Sequence, residues 1–180
     1  LLMPPSAVHL ARATAALHQG GTIACPTEAV WGLSCDPFDA QAVGHLLNLK
    51  RRPVEKGLIL VASHIDQLAF LLDGITERQR ALLEASWPGP STWLVPHLGR
   101  VPHWVSGQFA TVAVRVSAHS AVSALCDSWS GPLVSTSANP AGGLPAQHGF
   151  QVRRYFGKGV DYVLPGALGA SSSPTSITDL

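Results

Sequence analysis

The stretch NLKRRPVEKGLILVA, from Asn48 to Ala62, joins a cluster of positive charge to a short apolar run. Four of the 12 lysines and arginines of the chain lie in it: Lys50, Arg51, Arg52 and Lys56. Pro53 ends any helix that arrives from the N-terminal side, because proline has no N–H to donate and forces its predecessor towards an extended conformation. The following LILV is typical of a strand buried on both faces. The sequence therefore predicts a basic cluster where a helix ends and a core strand begins.

This basic cluster has two interpretations. Lysine and arginine at such density bind polyanions, such as the phosphate groups of a nucleotide or of RNA. They also occur in solvated surface turns that bind nothing. Composition alone does not separate the two, so the choice depends on the rest of the chain.

The composition indicates one globular domain over residues 1–180, with 46% apolar residues and a net charge of +1. No apolar run approaches the ~20 residues of a membrane-spanning helix, and no secretory signal is expected. The cysteines, Cys25, Cys35 and Cys126, are odd in number and form no C-x-x-C pair. They favour buried apolar side chains in a reducing cytoplasm over a disulfide framework. The eight histidines lack metal-ligand spacing, so no zinc site is expected.

Helical and strand patterns alternate along the chain, which predicts a layered α/β domain with a mixed sheet. The expected N-caps of the first four helices are Ser6, Asp39, Ser63 and Thr76. Further helices are predicted around residues 119–129 and 147–156, and strands around residues 22–25, 58–61, 92–95, 111–116, 132–135 and 161–164. Residues 97–109 are expected to be irregular, whereas the hydroxyl-rich tail SSSPTSITDL ends on the start of a strand.

The segment PTEAVWGLSCDP, from Pro26 to Pro37, is expected to be neither a strand nor a long helix, because it is polar and interrupted by proline and glycine. Thr27 and Glu28 directly follow a predicted strand, at the sheet edge where open α/β folds bind their ligands. The alternative is an ordinary turn with Trp31 packed into the core.

Two more places carry groups suited to a ligand. Arg115 lies among apolar residues near the end of a strand, where a guanidinium needs an anion from a ligand or an internal salt bridge. Residues 135–139, STSAN, follow a core strand, and their side chains can bind phosphate, carboxylate or sugar, or satisfy a turn. There is no P-loop, G-x-G-x-x-G or nucleophile elbow, so ATP would be bound by another route.

Five segments occur in register: PTEAVWGLSCDP, LKRRPVEKGLIL, WPGPSTWLVP, VAVRV and PLVSTSANPAG. With them the chain resembles the YrdC-like family, most closely its short single-domain bacterial members, from about residue 6 to 180. The most specific parts are the K-x-R of Lys50 and Arg52 and the S-x-N of Ser137 and Asn139. The resemblance implies a three-layer YrdC-like α/β fold, with a twisted mixed β-sheet flanked by helices and a positively lined cleft.

The resemblance also implies an L-threonylcarbamoyladenylate synthase, a nucleotidyltransferase. Such enzymes condense L-threonine, bicarbonate and ATP to threonylcarbamoyl-AMP and pyrophosphate. Proteins of the TsaD, TsaB and TsaE types then transfer the threonylcarbamoyl group to the adenosine next to the anticodon of tRNA. Mg²⁺ is expected on the ATP phosphates rather than on protein side chains. No membrane is involved, and direct binding of tRNA or double-stranded RNA stays open.

By the same resemblance, Lys50 and Arg52 are the expected catalytic residues. The expected ATP contacts are Lys50, Arg52, Lys56, Thr111, Ser137 and Asn139. The expected L-threonine contacts are Thr27, Arg115, Ser135 and Ser176, with the carboxylate on Arg115. Thr175 and Ser176 match a motif that closes over the site. This chain departs from longer family members in having Val61 where they carry a histidine, and in showing neither their second domain nor their arginine beyond the terminal motif.

Two other functions fit parts of the sequence. A non-catalytic double-stranded RNA-binding or ribosome-maturation factor would bind phosphate backbone with the basic cluster. However, the charge forms no stripe and no aromatic residues interleave with it. A carbamoyl-adenylate synthase of hydrogenase maturation shares this domain but normally carries zinc-finger and acylphosphatase-like modules. Synthesis of threonylcarbamoyl-AMP is therefore the leading hypothesis.

Overall fold

The computed structural model describes residues 2–171 and 175–180, which form one mixed sheet with helices on both faces. The strands are β1 (Ile23–Pro26), β2 (Trp31–Ser34), β3 (Ile59–Ala62), β4 (Ser91–Pro96), β5 (Thr111–Val116), β6 (Leu133–Ser137), β7 (Tyr162–Val163) and β8 (Ser176–Asp179). The helices are α1 (Ala7–His18), α2 (Ala40–Lys50), α3 (Ala69–Leu72), α4 (Glu77–Ser86), α5 (His103–Ser106), α6 (Ser120–Trp129) and α7 (Gly149–Phe156). Short 3₁₀ turns occupy Val54–Lys56, Ile65–Leu68 and Gly157–Gly159. The predicted three-layer α/β fold is confirmed.

The strands lie in the order β7-β1-β2-β6-β3-β5-β4-β8. β3 pairs parallel with β5 and antiparallel with β6, which in turn pairs antiparallel with β2. The register sets Ile59 of β3 beside Ala113 of β5 and Ser135 of β6. Side chains in register share a face of a sheet. Segments far apart in the sequence therefore contribute to one surface.

Helices α1 and α6 cover only part of that face. Together they bury a small core that includes Val61 and Leu133, each two residues along its strand from Ile59 and Ser135. Ile59, Ala113 and Ser135 instead line cavities on the same face. The part of the sheet that α1 and α6 leave uncovered is thus the floor of a cleft.

A larger core lies on the opposite face of the sheet. There the strands pack against the other helices through fully buried side chains such as Leu46 of α2, Leu83 of α4 and Val152 of α7. This burial of apolar area is the dominant favourable term in folding. The larger core therefore holds the sheet in place while its other face stays partly open.

Three of the four predicted N-caps are confirmed, namely Ser6, Asp39 and Thr76, whose side chains accept backbone N–H groups of their helices. The prediction for Ser63 is wrong. Its hydroxyl donates to Asp127 of α6, and its backbone N–H donates to the side-chain Oε1 of Gln67. The chain there forms a 3₁₀ turn and then the four-residue α3, so the tertiary contact with α6 replaces the cap.

The segment from residue 26 to 37 is the main correction to the sequence prediction, because it contains β2. That strand lies between β1 and β6, and Trp31 is packed into the larger core with 5% of its surface exposed. Both Trp31 and Gly32 line the turn side of the cleft, and an added Cβ at Gly32 would lie 3.2 Å from Cγ2 of Thr27. Because Gly32 allows this close approach, it interrupts the alternation of apolar residues by which a strand is usually predicted.

Three smaller points complete the comparison. Residues 97–109 are not irregular throughout, since α5 lies among them. The predicted C-terminal strand is confirmed as β8, and the three cysteines are buried as predicted. Residues 172–174 of the hydroxyl-rich tail lie outside the described residues. Over residues 2–171 and 175–180, no helix is long and apolar enough to cross a membrane.

Candidate active site

Three adjoining cavities occupy the cleft. The turn cavity, of about 140 Å³, lies beside the β1–β2 turn; the basic cavity, of about 120 Å³, lies at the end of α2; and the sheet cavity, of about 350 Å³, lies over β3 and β5. Ser137 lines both the turn and basic cavities, and Ile59 both the turn and sheet cavities. Arg52 and Lys56 line both the basic and sheet cavities. Their shared walls make them one continuous site.

The end of α2 delivers the basic side chains. Arg51 adopts the left-handed conformation at φ 52°, and its N–H donates to Asn48 O at 3.1 Å while that of Arg52 donates to Leu47 O at 3.0 Å. This is the Schellman arrangement that reverses a chain after a helix. The reversal returns Lys56 to the same cavity, which four basic residues line: Lys50, Arg51, Arg52 and Lys56. Arg51 is not among the ATP contacts expected from the sequence. Glycine is the usual residue in the left-handed conformation after a helix, so an arginine there gives no sign of the turn that brings it to the cavity.

Lys50 is buried, with 4% of its surface exposed. Its Nζ donates to the carbonyl oxygens of Ser137 and Asn139, the latter at 3.0 Å. Burial, and then the nearby charge of Arg52, lowers the pKa of Lys50 to about 8. Lys50 therefore lines the basic cavity while also tying α2 to the S-x-N turn after β6.

Arg52 is held by one backbone carbonyl. Its Nε and Nη2 donate to Gly57 O at 3.2 and 2.9 Å. Burial lowers the pKa of Arg52, yet an arginine stays protonated at any physiological pH. Its Nη1 makes no hydrogen bond with the part of the chain that the structure describes, so this nitrogen is available to an anion.

The S-x-N turn contains both committed and uncommitted polar groups. Asn139 donates its side-chain Nδ2 to Pro140 O at 3.2 Å and to Gly143 O at 3.0 Å. Its Oδ1 is buried without a partner among the described residues. The hydroxyl of Ser137 makes no hydrogen bond within those residues. Both line the basic cavity, but only Ser137 has an uncommitted side-chain donor.

The turn cavity contains an ion pair. Arg115 is 8% exposed, and its Nη1 donates to Oε2 of Glu28 while the hydroxyl of Ser117 donates to Oε1. The anionic partner that the sequence requires for Arg115 is thus Glu28. Arg115 Nε is buried and unpartnered within the described residues. The sequence places Glu28 at a ligand-binding edge but assigns it no role, because the pairing spans 87 residues.

The other predicted threonine contacts behave differently from one another. Thr27 and Ser135 line the turn cavity, but Thr27 donates its hydroxyl to Val30 O at 2.6 Å. Thr175 also lines it and is hydrogen-bonded to Thr92 at 2.8 Å between their Oγ1 atoms. Ser176 is exposed and lines none of the three cavities. Successive strand residues point to opposite faces, so Ser176 faces away from the cleft into which Thr175 points.

The sheet cavity has an apolar floor and rim. Its lining includes Thr111 and Ala113 of β5 and the exposed side chains of Phe109 and Ile177. Val61, which stands in place of a histidine in longer family members, lies in the small core and lines none of the three cavities. Within the described residues, no group of three or more histidine, cysteine, aspartate or glutamate side chains could hold a metal ion.

Comparison with known proteins links this cleft to one family. A family model described as "Telomere recombination", for Sua5, YciO and YrdC proteins, matches residues 15–180. A threonylcarbamoyl-AMP synthase of Cellvibrio japonicus is 52% identical over 164 residues, covering 91% of this chain and 87% of its own length. One of Saccharophagus degradans is 57% identical, covering 91% and 86%. The solved structure of P. abyssi Sua5 complexed with L-threonine superposes with a TM-score of 0.87 at 29% identity, covering 95% of this chain and 50% of that one.

Proposed function

The chain belongs to the Sua5/YciO/YrdC family, and on that basis we propose that it is a threonylcarbamoyl-AMP synthase. The observation that carries the proposal is the continuity, in one cleft, of a cavity lined by four basic residues with a cavity that contains a buried arginine. The first suits a triphosphate and the second suits the carboxylate of an amino acid.

The proposed reaction has two steps. The neutral amine of L-threonine attacks the carbon of bicarbonate, whose C–OH bond breaks with loss of water to leave a carbamate. An oxygen of the carbamate then attacks the α-phosphorus of ATP, and the bond to the β-phosphate oxygen breaks with release of pyrophosphate. Neither step forms a bond to the protein. The site has to position the reactants and offset their negative charge, which is the main requirement for catalysis of phosphoryl chemistry.

We assign the triphosphate of ATP to the basic cavity. Support comes from the free Nη1 of Arg52, the exposed side chain of Lys56 and the uncommitted hydroxyl of Ser137. Lys50 adds a positive charge at the wall of this cavity, although its Nζ donates its hydrogen bonds to the S-x-N turn. The nucleoside would then extend over the sheet cavity, where Thr111 can bind the ribose or base.

Mg²⁺ enters this proposal as part of the MgATP substrate. Among the described residues that line the basic and sheet cavities there is no carboxylate, so the protein offers the ion no anionic ligand there. Phosphate oxygens and water are ligands that Mg²⁺ favours. The donor set thus fits an ion carried by the nucleotide, whose charge would stabilise the departing pyrophosphate.

We assign the amino acid to the turn cavity. Arg115 uses Nη1 for Glu28, and its Nη2 makes no hydrogen bond within the described residues, so Nη2 can donate a charge-assisted hydrogen bond to a carboxylate. Thr27 and Ser135 line the same cavity. The hydroxyl of Thr27, whose proton is donated to Val30 O, can accept from the substrate's polar groups, and that of Ser135 can accept or donate.

The product is a reactive mixed anhydride, so we propose direct transfer to proteins of the TsaD, TsaB and TsaE types, which modify tRNA. A cytoplasmic location follows from the same proposal, and the three free cysteines suit a reducing compartment. The proposed reaction does not require this chain to contact tRNA directly, so such contact has to be tested separately.

The first experiment is pyrophosphate release from MgATP, with L-threonine and bicarbonate supplied together, singly or not at all. The proposal predicts release only when both are present, with serine tested beside threonine. Release with carbamoyl phosphate in place of threonine would assign the chain to the hydrogenase-maturation type. No release, together with tight and salt-sensitive RNA binding, would make the cleft an RNA site and overturn the proposal.

A further inference from the structure

Glu28 is the one acidic side chain among the described residues that line the turn, basic and sheet cavities. Its side chain is 18% exposed, so it is reachable from the cleft. A carboxylate beside a triphosphate site repels the ligand and lowers its affinity. The ion pair with Arg115 offsets this charge within the turn cavity.

The ion pair leaves both partners with unused hydrogen-bonding capacity. Each carboxylate oxygen of Glu28 accepts one hydrogen bond, from Arg115 or from Ser117, whereas an ionised carboxylate can accept about four in all. Arg115 retains its Nη2, which makes no hydrogen bond within the described residues and, unlike its Nε, is not buried. The pair thus presents acceptor and donor positions side by side in one small cavity.

We infer that Glu28 binds the ammonium group of the amino-acid substrate while Arg115 binds its carboxylate, so that the pair recognises a zwitterion. This inference rests on the proposed function and adds a specificity-determining residue to it. An isolated Arg115 would attract any small carboxylate. A neutral Arg115–Glu28 pair favours a ligand with both charges and disfavours an anion that lacks the amine, because that anion faces the carboxylate of Glu28.

The test compares two ligands in the wild-type chain and in Glu28→Gln. L-Threonine has the amine, and (R)-3-hydroxybutyrate has the same carboxylate and hydroxyl without it. Binding is measured by titration calorimetry, in the presence of a non-hydrolysable ATP analogue. In Glu28→Gln, L-threonine should bind about 10-fold more weakly, since one charge-assisted hydrogen bond is lost. The amine-free acid should bind equally well or more tightly, because a repelling charge has gone.

Two outcomes would overturn the inference. An equal loss of affinity for both ligands would mean that Glu28 only supports Arg115, and unchanged affinity for both would mean that it contacts neither substrate group. Glu84→Gln, which removes a carboxylate from the exposed Arg80–Glu84 pair at 2.9 Å, is the matched control and should change neither affinity. A wild-type chain without threonine-dependent pyrophosphate release would instead contradict the proposed function.

A second variant keeps the test decisive if Glu28→Gln fails to fold. Glu28→Asp retains the charge on a shorter side chain, so it should still prefer L-threonine to the amine-free acid while binding both more weakly. Loss of that preference in a folded Glu28→Asp, as judged by its circular dichroism and melting temperature, would argue against recognition of the amine by this charge.

Discussion

Burial determines what Lys50 can contribute to the cleft. A surface lysine would be free to follow a phosphate, but Lys50 donates to two carbonyl oxygens of the S-x-N turn. Its charge is held close to the basic cavity without the freedom to move into it. At the scale of single residues, the site therefore combines a buried charge held by hydrogen bonds, at Lys50, with an exposed one, at Lys56.

We expect ATP affinity to fall as the pH rises through the pKa of Lys50. Burial and the charge of Arg52 lower that pKa to about 8, so Lys50 loses its proton, and its attraction for phosphate, on the alkaline side of this value. The dissociation constant for ATP should rise several-fold between pH 7 and 9.5, measured by calorimetry without threonine or bicarbonate. Lys50→Arg stays charged over this range and should give a flat profile. Parallel profiles for the two proteins would exclude Lys50 as the titrating group.

The same shift should act on stability with the opposite sign. Lys50 has a pKa of about 8 in the folded chain and an ordinary value of 10.5. Between these values the unfolded chain binds the proton more tightly, so the free energy of unfolding gains a contribution that rises with pH. Urea denaturation of the wild type and Lys50→Met from pH 7.5 to 10.5 would measure it as a difference in slope. Identical slopes would contradict the lowered pKa.

Of the two expected catalytic residues, Lys50 and Arg52, Arg52 should be the one whose substitution lowers turnover more. Arg52→Ala removes a cation from the wall shared by the basic and sheet cavities, and turnover should fall by at least about 100-fold, as for lost electrostatic stabilisation of a transition state. Arg52→Lys keeps the charge but cannot donate the Nε and Nη2 pair to Gly57, so it should restore only part of the rate. Steady-state pyrophosphate release would measure both. Near-normal turnover in Arg52→Ala would assign the basic cluster to a surface role.

The sequence predicts which residues meet more reliably than what they do. Lys50, Arg52, Ser137 and Asn139 are identified by motif and do line one cavity. Their hydrogen bonds, and the pairing of Arg115 with Glu28, depend on distances across the fold that residue types do not encode. The direction of a side chain is not predicted for the same reason. Ser176 has a suitable hydroxyl, but strand pleating turns it away from the cleft.

At the scale of elements, two loops support the basic cluster. The 3₁₀ turn Val54–Lys56 and the residues after it pack against α5 and the loop that follows it, with Leu58 N donating to Val105 O at 2.8 Å and Gln108 N to Glu55 O at 3.0 Å. Gly107 lies between them at φ 64°, and an added Cβ would be 2.5 Å from Glu55 O and 2.6 Å from Gly57 N. Since Gly57 O is the acceptor for Arg52, the position of one loop sets the geometry of the other.

Gly107→Ala should therefore damage both stability and nucleotide binding. Steric overlap and an unfavourable positive φ should lower the free energy of unfolding by about 2 kcal/mol. Displacement of Gly57 and Lys56 should weaken ATP binding as well. Gly99→Ala is the matched control, because Gly99 also has a positive φ, of 74°, but nothing lies within 4 Å of an added Cβ. Equal effects of the two substitutions on ATP binding would show that the loop contact does not shape the site.

Local signals predict elements well where local contacts decide them. The caps at Asp39 and Thr76 follow from residues within one turn of the helix. β2 is missed, because Gly32 is set by the close approach of Thr27 rather than by strand propensity. Ser63 is misassigned because Asp127, 64 residues away, binds its hydroxyl.

At the scale of the whole molecule, the site exists because α1 and α6 cover less than one face of the sheet. The strand order puts β6 between β2 and β3, and so brings Ser135 and Ser137 between the β1–β2 turn and the basic cluster. Periodicity in a sequence predicts strands but not their order. The convergence of these segments was therefore accessible only through resemblance to a family, whereas the alternation of helices and strands follows from the residues themselves.

Strand β8 should report the filling of the whole cleft. It is an exposed edge strand held by parallel pairing with β4, and it connects two cavities, since Thr175 just before it lines the turn cavity and Ile177 lines the sheet cavity. Edge strands with few buried contacts open readily. We expect amide hydrogen exchange in residues 176–180 to slow modestly with an ATP analogue or L-threonine alone, and most with both. The reason is that the two ligands together occupy both cavities that this segment lines.

β7, the edge strand at the other end of the sheet, lines none of the three cavities and should exchange at the same rate throughout. Equal slowing of β7 and β8 would mean that the ligands stabilise the fold as a whole, and unchanged exchange in β8 would separate the C-terminal strand from the site.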